Sequence, residues 1–149
     1  MGNWRTIEQA DTGLAQAIRA CFAVRKHATM ATLRKDGSPR ISGTEVEFSG
    51  DEVFLGSMPG AVKALDLRRD PRFALHSPTV DPPPNQPSAW PGEAKLAGHA
   101  VEVSMPPNPV GAHRFRLVLL EAVLTQVVGD QLEITSWHEG RGVKTCRRS

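Results

Sequence analysis

The 149-residue sequence has few cysteines, no long apolar run and little net charge. Its two cysteines, Cys21 and Cys146, form neither a CxxC pair nor a metal-ligand spacing, so we expect reduced thiols and a cytoplasmic protein. No apolar stretch approaches the ~20 residues of a membrane span, and the N-terminus lacks the apolar core of a signal peptide. The formal net charge of only +2 gives no reason to expect nucleic-acid binding.

Signatures of several enzyme classes are also missing. Neither GxGxxG nor GxxxxGK[ST] occurs, so no motif points to a Rossmann or P-loop nucleotide site. No HxH or HExxH spacing joins the five histidines, and a metal site is therefore not predicted. The GxSxG nucleophile elbow is absent as well, which argues against a serine hydrolase.

The order of sequence patterns predicts a single domain over residues 1–149 that is mainly β, within the α+β class. Apolar residues at helical spacing indicate an N-terminal helix over 7–24, and because Gly13 weakens its early part we expect the regular helix to begin near Thr12. A short helix over 60–69 follows the third strand. We expect six or seven antiparallel strands in a split β-barrel rather than a doubly wound sheet. The predicted strands are 27–34, 39–48, 52–57, 72–77, 93–104, 115–128 and 131–137.

Several segments carry more specific expectations. The proline-rich residues 77–92 are predicted to form a surface or lid loop, with a helical turn near 110–114 and a basic tail over 138–149. Gly98 is a candidate β-bulge.

The long strand 115–128 is apolar on both faces, with Phe115 and Val123 predicted on one face and Ala122 and Leu124 on the other. Such a strand fits a barrel interior on one side and a helix or second subunit on the other.

Residues 56–71, GSMPGAVKALDLRRDP, combine features of an anion site. Gly56 and Ser57 end a strand, a Pro-Gly turn follows, and a helix begins. Free N–H groups and the dipole at a helix start attract anions. Lys63 lies near the first turn, where the positive end of the helix dipole disfavours a cation. An anion bound between the lysine and the helix start would remove this unfavourable interaction. A solvated surface lysine explains the same pattern, so both interpretations stay open from these residues alone.

Two other groups could contact a ligand. Arg40, Ser42 and Thr44 share one face of a strand and could bind a flat polar ligand, or face water on an edge strand. Trp137 precedes a glycine-containing segment with Arg141, and the pair could stack on a ring and contact a phosphate. The alternative for Trp137 is a place in a protein interface.

The segment HATMATLRKDGSPRISGTEVEFSGDEVFLGSMPGAVKALDLRRDPRFALHS resembles the pyridoxamine 5'-phosphate oxidase-like, FMN-binding split-barrel proteins. It has their order of a strand, an Asp-Gly turn, a strand opening near Pro-Arg, a third strand, and a lysine-bearing helix that ends at Asp-Pro-Arg. GEAKLAGHAVEV is similar to a glycine-containing strand of that family. SWHEGRGVKTCRR is similar to its Trp-x-x-Gly-x-Gly ending.

The resemblance implies an oxidoreductase that acts on an unidentified small organic substrate, as a homodimer with FMN sites at the subunit interface. Residues implied to contact FMN are Arg40, Ile41 and Ser42 on the ring or ribityl chain, Gly56, Ser57 and Met58 beside the flavin, Lys63 on the phosphate, and Trp137 and Arg141 from the partner chain. No catalytic residue is implied. Val62 departs from the family, because the biosynthetic oxidases carry arginine before this lysine and thus a second phosphate-binding cation.

Two alternatives use the same barrel. A reductase that depends on the deazaflavin F-420 would need cations for the longer acidic tail of its cofactor, and Arg68, Arg69, Lys95 or Arg141 could supply them. A protein that binds flavin or haem for sensing or storage would need no catalytic groups. A structural dimer with an empty cleft is the remaining possibility.

Overall fold

The computed structural model describes residues 2–104 and 112–149, which form three α-helices and eight β-strands. The helices are α1 (Trp4–Ala10), α2 (Thr12–Ala23) and α3 (Val62–Arg69), and Pro87–Ala89 form a 3₁₀ turn. The strands are β1 (His27–Leu33), β2 (Pro39–Ser49), β3 (Glu52–Ser57), β4 (Arg72–His76), β5 (Glu93–Val103), β6 (His113–Val128), β7 (Gln131–His138) and β8 (Gly142–Arg148). No helix in these two ranges is both long and apolar enough to cross a bilayer.

The strands form one antiparallel sheet that closes on itself. Their order is β3-β2-β1-β4-β5-β6-β7-β8, and β3 also pairs with β6, with Leu55 opposite Phe115. Six strands therefore make a closed barrel, and β7 and β8 extend the sheet beyond the closure. This confirms the predicted mainly β antiparallel barrel. The described ranges contain eight strands where six or seven were predicted, and three α-helices where two were predicted.

The barrel interior and the N-terminal helices share one apolar core. Met30, Leu75, Leu96 and Leu117 fill the barrel and are almost completely buried. On the outside, α1 and α2 bury their apolar faces, and Trp4 packs edge-on against Phe48 of β2 with 4.8 Å between ring centres. The short α3 contacts β1 and lies next to the β3–β6 seam.

The predicted N-terminal helix over 7–24 is divided into two helices that meet at Asp11, and α2 confirms the expected regular start near Thr12. Asp11 is extended, with φ of −161°, and its side chain accepts a hydrogen bond from the Leu14 amide as the N-cap of α2. The first helix begins earlier than predicted, since Asn3 and Thr6 form a capping box that starts α1 at Trp4.

Gly98 forms the predicted bulge, and the bulge changes the faces of β6. The register of β5 and β6 shifts between Ala97 and Gly98, so Leu120 is the extra residue on β6. As a result, Ala122 and Leu124 lie on the same buried face as Phe115. The prediction that they face the other way, with Val123 beside Phe115, is therefore wrong.

The predicted basic tail contains a strand that the sequence did not indicate, because residues 142–148 form β8 against β7. Gly140 and Gly142 both have positive φ and turn the chain between the two strands. Most β8 side chains are exposed, as is typical of a charged edge strand, which explains why no apolar alternation marks it in the sequence. Of the predicted turn at 110–114, residues 110 and 111 lie outside the described ranges, and His113 and Arg114 belong to β6.

Candidate functional site

An open cleft of about 730 Å³ lies where β2, β3 and the start of α3 meet. It exists because β3 ends at Ser57 and the chain then turns through Pro59 and Gly60 into α3. Four of the predicted site residues line it: Gly56, Ser57, Met58 and Lys63. The other lining residues are His27, Gly43, Thr44, Glu45, Val46, Glu47, Pro59 and Ala112.

Three polar features of the cleft suit an anion. The N-cap residue Ala61 supplies no side-chain acceptor to the first amides of α3. The Ser57 hydroxyl is buried and has no hydrogen-bond partner among the described residues, although a buried polar atom is normally paired. Lys63 lines the same cleft as Ser57, and its ammonium donates to the Gly43 carbonyl oxygen at 2.7 Å. An anion would complete the hydrogen bonding of all three.

The Lys63 side chain is half-buried, and this affects its charge. Burial lowers the pKa of its ammonium group, and the Glu45 carboxylate partly opposes that effect. Among the described residues no carboxylate lies within 4.0 Å of its nitrogen, so Lys63 has no ion-pair partner in this part of the chain. A partly desolvated cation without a direct salt bridge favours binding of an anion.

The rest of the cleft is not strongly basic. Glu45 and Glu47 line it, and the negative charge of each is offset by a salt bridge with a cation from outside β2. Lys26 lies 3.3 Å from the Glu45 carboxylate, and Arg114 lies 2.8 Å from that of Glu47. Among the described lining residues, Lys63 is thus the cation left for a ligand, and its single charge offsets part of the charge of one phosphate group.

Arg40 lies beneath α3, where it pairs with a residue that the sequence did not mark. Its Nε donates to the Asp66 carboxylate at 2.7 Å, and Asp66 also accepts from Thr32 at 2.8 Å and Arg69 at 2.9 Å. Asp66 is 1% exposed. Burial alone would raise the pKa of Asp66, but the hydrogen bonds from Arg40, Thr32 and Arg69 outweigh it and lower the pKa. This network fixes α3 to β1 and β2.

The remaining predicted residues do not line the cleft. Ser42 is half-buried opposite Met30, whereas Ile41 is 75% exposed on the outer face of the barrel. Trp137 is 3% exposed and belongs to the core of its own chain. Arg141 lines a separate surface cavity of about 510 Å³. The predicted ligand contacts of these residues, including those made across a subunit interface, stay predictions.

The sequence matches no protein-family model and no curated protein, but its fold matches solved structures. PhzG from Burkholderia lata 383, in complex with tetrahydrophenazine-1-carboxylic acid, has a TM-score of 0.68 and 14% identity over 97% of this chain and 92% of that chain. A pyridoxamine 5'-phosphate oxidase-related, FMN-binding protein from Nostoc punctiforme PCC 73102 has a TM-score of 0.66 and 10% identity over 93% of this chain and 96% of that chain. The chain has the pyridoxamine 5'-phosphate oxidase-like split-barrel fold.

This split-barrel fold is shared by proteins with different ligands. An F420 reductase matches with a TM-score of 0.53 and 12% identity over 70% of this chain and 94% of that chain. A heme-binding protein from Mycobacterium smegmatis matches with a TM-score of 0.56 and 14% identity over 88% of this chain and 86% of that chain. At these identities the likeness establishes the fold, and the ligand has to be argued from the residues in the cleft.

Behind the cleft of this split barrel, Glu102 of β5 joins α3 to β6. Arg68 donates to both carboxylate oxygens of Glu102, at 2.6 and 3.0 Å, and His113 lies 3.1 Å from one of them. The hydrogen bond from Arg68, followed by that from His113, lowers the pKa of Glu102 to about 2. The charged form of Glu102 is therefore the form that stabilises the fold.

This lowered pKa predicts an acid-sensitive contribution to stability. The stabilisation by charged Glu102 is fully present above pH 4.5, which is the ordinary pKa of a glutamate side chain. It is lost as the pH falls toward the lowered pKa of about 2. Because Arg68 and Glu102 are partly exposed, we expect it to be at most about 1 kcal/mol. Urea unfolding should find Glu102→Gln less stable than wild type at pH 7, with the difference vanishing near the lowest pH. A difference that does not change with pH would contradict the assignment.

Proposed function

We propose that the cleft binds the phosphate of FMN and that the protein is a flavin-dependent oxidoreductase acting on a small organic substrate. The observation that carries the proposal is the convergence of Lys63, the unpaired buried Ser57 hydroxyl and the start of α3 at one cleft. Such a set of donors matches a phosphate monoester, which has several acceptor oxygens. The FMN-binding likeness of the fold supports the choice of a flavin.

Each of these groups has a specific part in holding the nucleotide. The Lys63 ammonium supplies the positive charge, and the Ser57 hydroxyl and the first amides of α3 donate hydrogen bonds. Gly56 has no side chain, so a ligand can approach the backbone of β3 closely. FMN, when bound, supplies reversible electron transfer, whereas the protein supplies its position and the polarity around it.

The charges near the cleft favour FMN over the deazaflavin F-420. Of the four cations that could serve an acidic tail, Arg68 pairs with Glu102 and Arg69 with Asp66. Arg141 and Lys95 line other surface cavities. A ligand with one phosphate therefore suits this site better than a polyanionic one.

A haem-binding function is the second candidate, because one imidazole lies in the cleft. His27 lines it with a side chain that is 71% exposed, and it lies only 3.6 Å from the Glu45 carboxylate. Neutral imidazole is the common protein ligand of haem iron. Absorption spectra recorded with haem separate the candidates, since a Soret shift that is lost in His27→Ala would favour haem.

The proposal includes a homodimer. Ile41 is exposed on the outer face of the barrel, where it adjoins Ala31 and Ala74 in a shallow cavity of about 280 Å³. In the proposed dimer a second copy covers this apolar surface and brings Arg141 toward the cleft of its partner, whereas Trp137 stays in the core of its own chain. Light scattering coupled to size-exclusion chromatography tests the oligomeric state, and a monomer at micromolar concentration would oppose this part of the proposal.

Replacing Lys63 tests the phosphate site. In Lys63→Ala, FMN binding should weaken about 10- to 100-fold, as expected for a charge-assisted hydrogen bond, while riboflavin binding changes less than about twofold. Flavin fluorescence quenching measures both affinities. Lys95→Ala, which removes an exposed lysine outside the cleft, is the matched control. An equal loss for FMN and riboflavin would rule out the phosphate role of Lys63.

A further inference from the structure

His113 is a buried histidine that the proposed ligand contacts do not use. It begins β6 opposite Ser57 of β3, and its side chain is 8% exposed. Its ring stacks on Phe115 with 6.5 Å between ring centres, so packing restricts its orientation. The ring lies behind the cleft, on the side of the turn that connects β3 to α3.

The contacts of the ring define its proton position. The Gly60 backbone nitrogen lies 3.1 Å from Nε2, and because an amide can only donate, Nε2 must be an unprotonated acceptor. The Glu102 carboxylate lies 3.1 Å from Nδ1 and can only accept, so Nδ1 carries the proton. Arg68 lies 3.3 Å from Nδ1 and donates to the same carboxylate. The arrangement therefore requires a neutral imidazole with its proton on Nδ1.

The hydrogen bond to Gly60 acts on the segment that presents the anion-binding groups. Gly60 has a φ of +70°, in the left-handed region, and it directly precedes Ala61, the N-cap of α3. The Ala61 amide donates to the Met58 carbonyl oxygen at 3.1 Å and closes the turn from within. His113 holds the same turn from the barrel side. Both contacts therefore act on the turn that leads into α3, the helix that carries Lys63.

We propose that His113 is a positioning residue that holds the Gly60 turn, and through it the anion-binding start of α3, in place. Glu102 and Arg68 in turn hold the His113 ring in its accepting tautomer. The effect on ligand affinity rests on the proposed FMN site, whereas the hydrogen bond to Gly60 can be tested in the ligand-free protein. Gly60 lies just before α3, whose start is the proposed phosphate site. We therefore expect the loss of His113 to weaken binding of the phosphate of a ligand and to have little effect on binding of its ring.

Two substitutions separate positioning from general packing. His113→Phe keeps an aromatic ring but removes both polar atoms, and His113→Gln keeps an acceptor and a donor on one side chain. FMN should bind about tenfold more weakly to His113→Phe, as for the loss of one hydrogen bond, with riboflavin changed less than about twofold. His113→Gln should recover FMN affinity to within about threefold of wild type. Equal weakening for FMN and riboflavin in His113→Phe would overturn the inference.

Hydrogen exchange tests the same contact without a ligand. By NMR, wild type should show a neutral His113 with the proton on Nδ1 and a protected Gly60 amide. In His113→Phe the Gly60 amide should exchange at least about tenfold faster, while the Leu55 amide inside the barrel does not change. Glu102→Gln, which leaves the ring in place, should give a smaller increase and serves if the phenylalanine variant does not fold.

Unchanged Gly60 exchange in the variants that fold, or a proton found on Nε2, would overturn the inference. A wild-type protein that binds neither FMN nor riboflavin would instead refute the proposed function. In that case Gly60 exchange alone decides whether His113 holds the turn.

Discussion

Asp66→Ala should lower the free energy of unfolding by about 3 kcal/mol, because it leaves two arginines and a buried hydroxyl without their shared acceptor. Asp66 is almost fully buried and accepts hydrogen bonds from Arg40, Thr32 and Arg69. These contacts come from β2, β1 and α3, so their loss should loosen the helix on the barrel. Urea unfolding followed by circular dichroism measures the effect.

The matched control is Asp70→Ala, which removes a carboxylate that is more exposed than that of Asp66, at the C-cap of the same helix. Asp70 pairs with Arg72, whose side chain is also exposed, so its loss should have a much smaller effect. Asp66→Asn keeps the shape of the side chain but removes its charge, and we expect it to lie between wild type and Asp66→Ala. Equal unfolding midpoints for Asp66→Ala and Asp70→Ala would contradict a structural role for Asp66.

Gly98→Ala should strongly destabilise the barrel. A Cβ atom at Gly98 would lie 1.9 Å from the Val118 carbonyl oxygen, and the obstacle is backbone rather than a flexible side chain. The β5–β6 pairing would have to move at the bulge. We expect a loss of at least about 3 kcal/mol, or failure to fold. Soluble yield and urea unfolding report the result.

Gly43→Ala is the control for this prediction, because Gly43 also lies in a strand but a Cβ there meets no atom within 4 Å. Its stability should change by less than about 1 kcal/mol. If Gly98→Ala were as stable as Gly43→Ala, the bulge at Gly98 would not have the geometry described.

The barrel was predictable where the sequence carries local signals. Alternating segments and the Asp-Gly turn predict the succession of strands along the chain through β4, and a glycine within β5 predicts the bulge. The consequence of the bulge could not be predicted, because the faces of β6 depend on which residue stands opposite Gly98. The strand β8 was missed because an exposed, basic edge strand shows little apolar alternation.

The cleft could be predicted only in part, for a related reason. Gly56, Ser57, Met58 and Lys63 are near one another in the chain, so a turn followed by a helix start is enough to indicate an anion site. Asp66 and His113 act through partners that are distant in sequence. Arg40 lies 26 residues from Asp66, and Gly60 lies 53 residues from His113. Only the closed barrel brings such pairs together.

Titration of the purified wild-type protein with FMN and with riboflavin tests the central claim most directly, because the two ligands differ only in the phosphate. Fluorescence quenching of the flavin gives both dissociation constants under identical conditions. A phosphate site formed by Lys63, Ser57 and the start of α3 predicts micromolar or tighter FMN binding, at least about tenfold stronger than riboflavin binding. Equal affinity for the two ligands, or no binding of FMN, would contradict it.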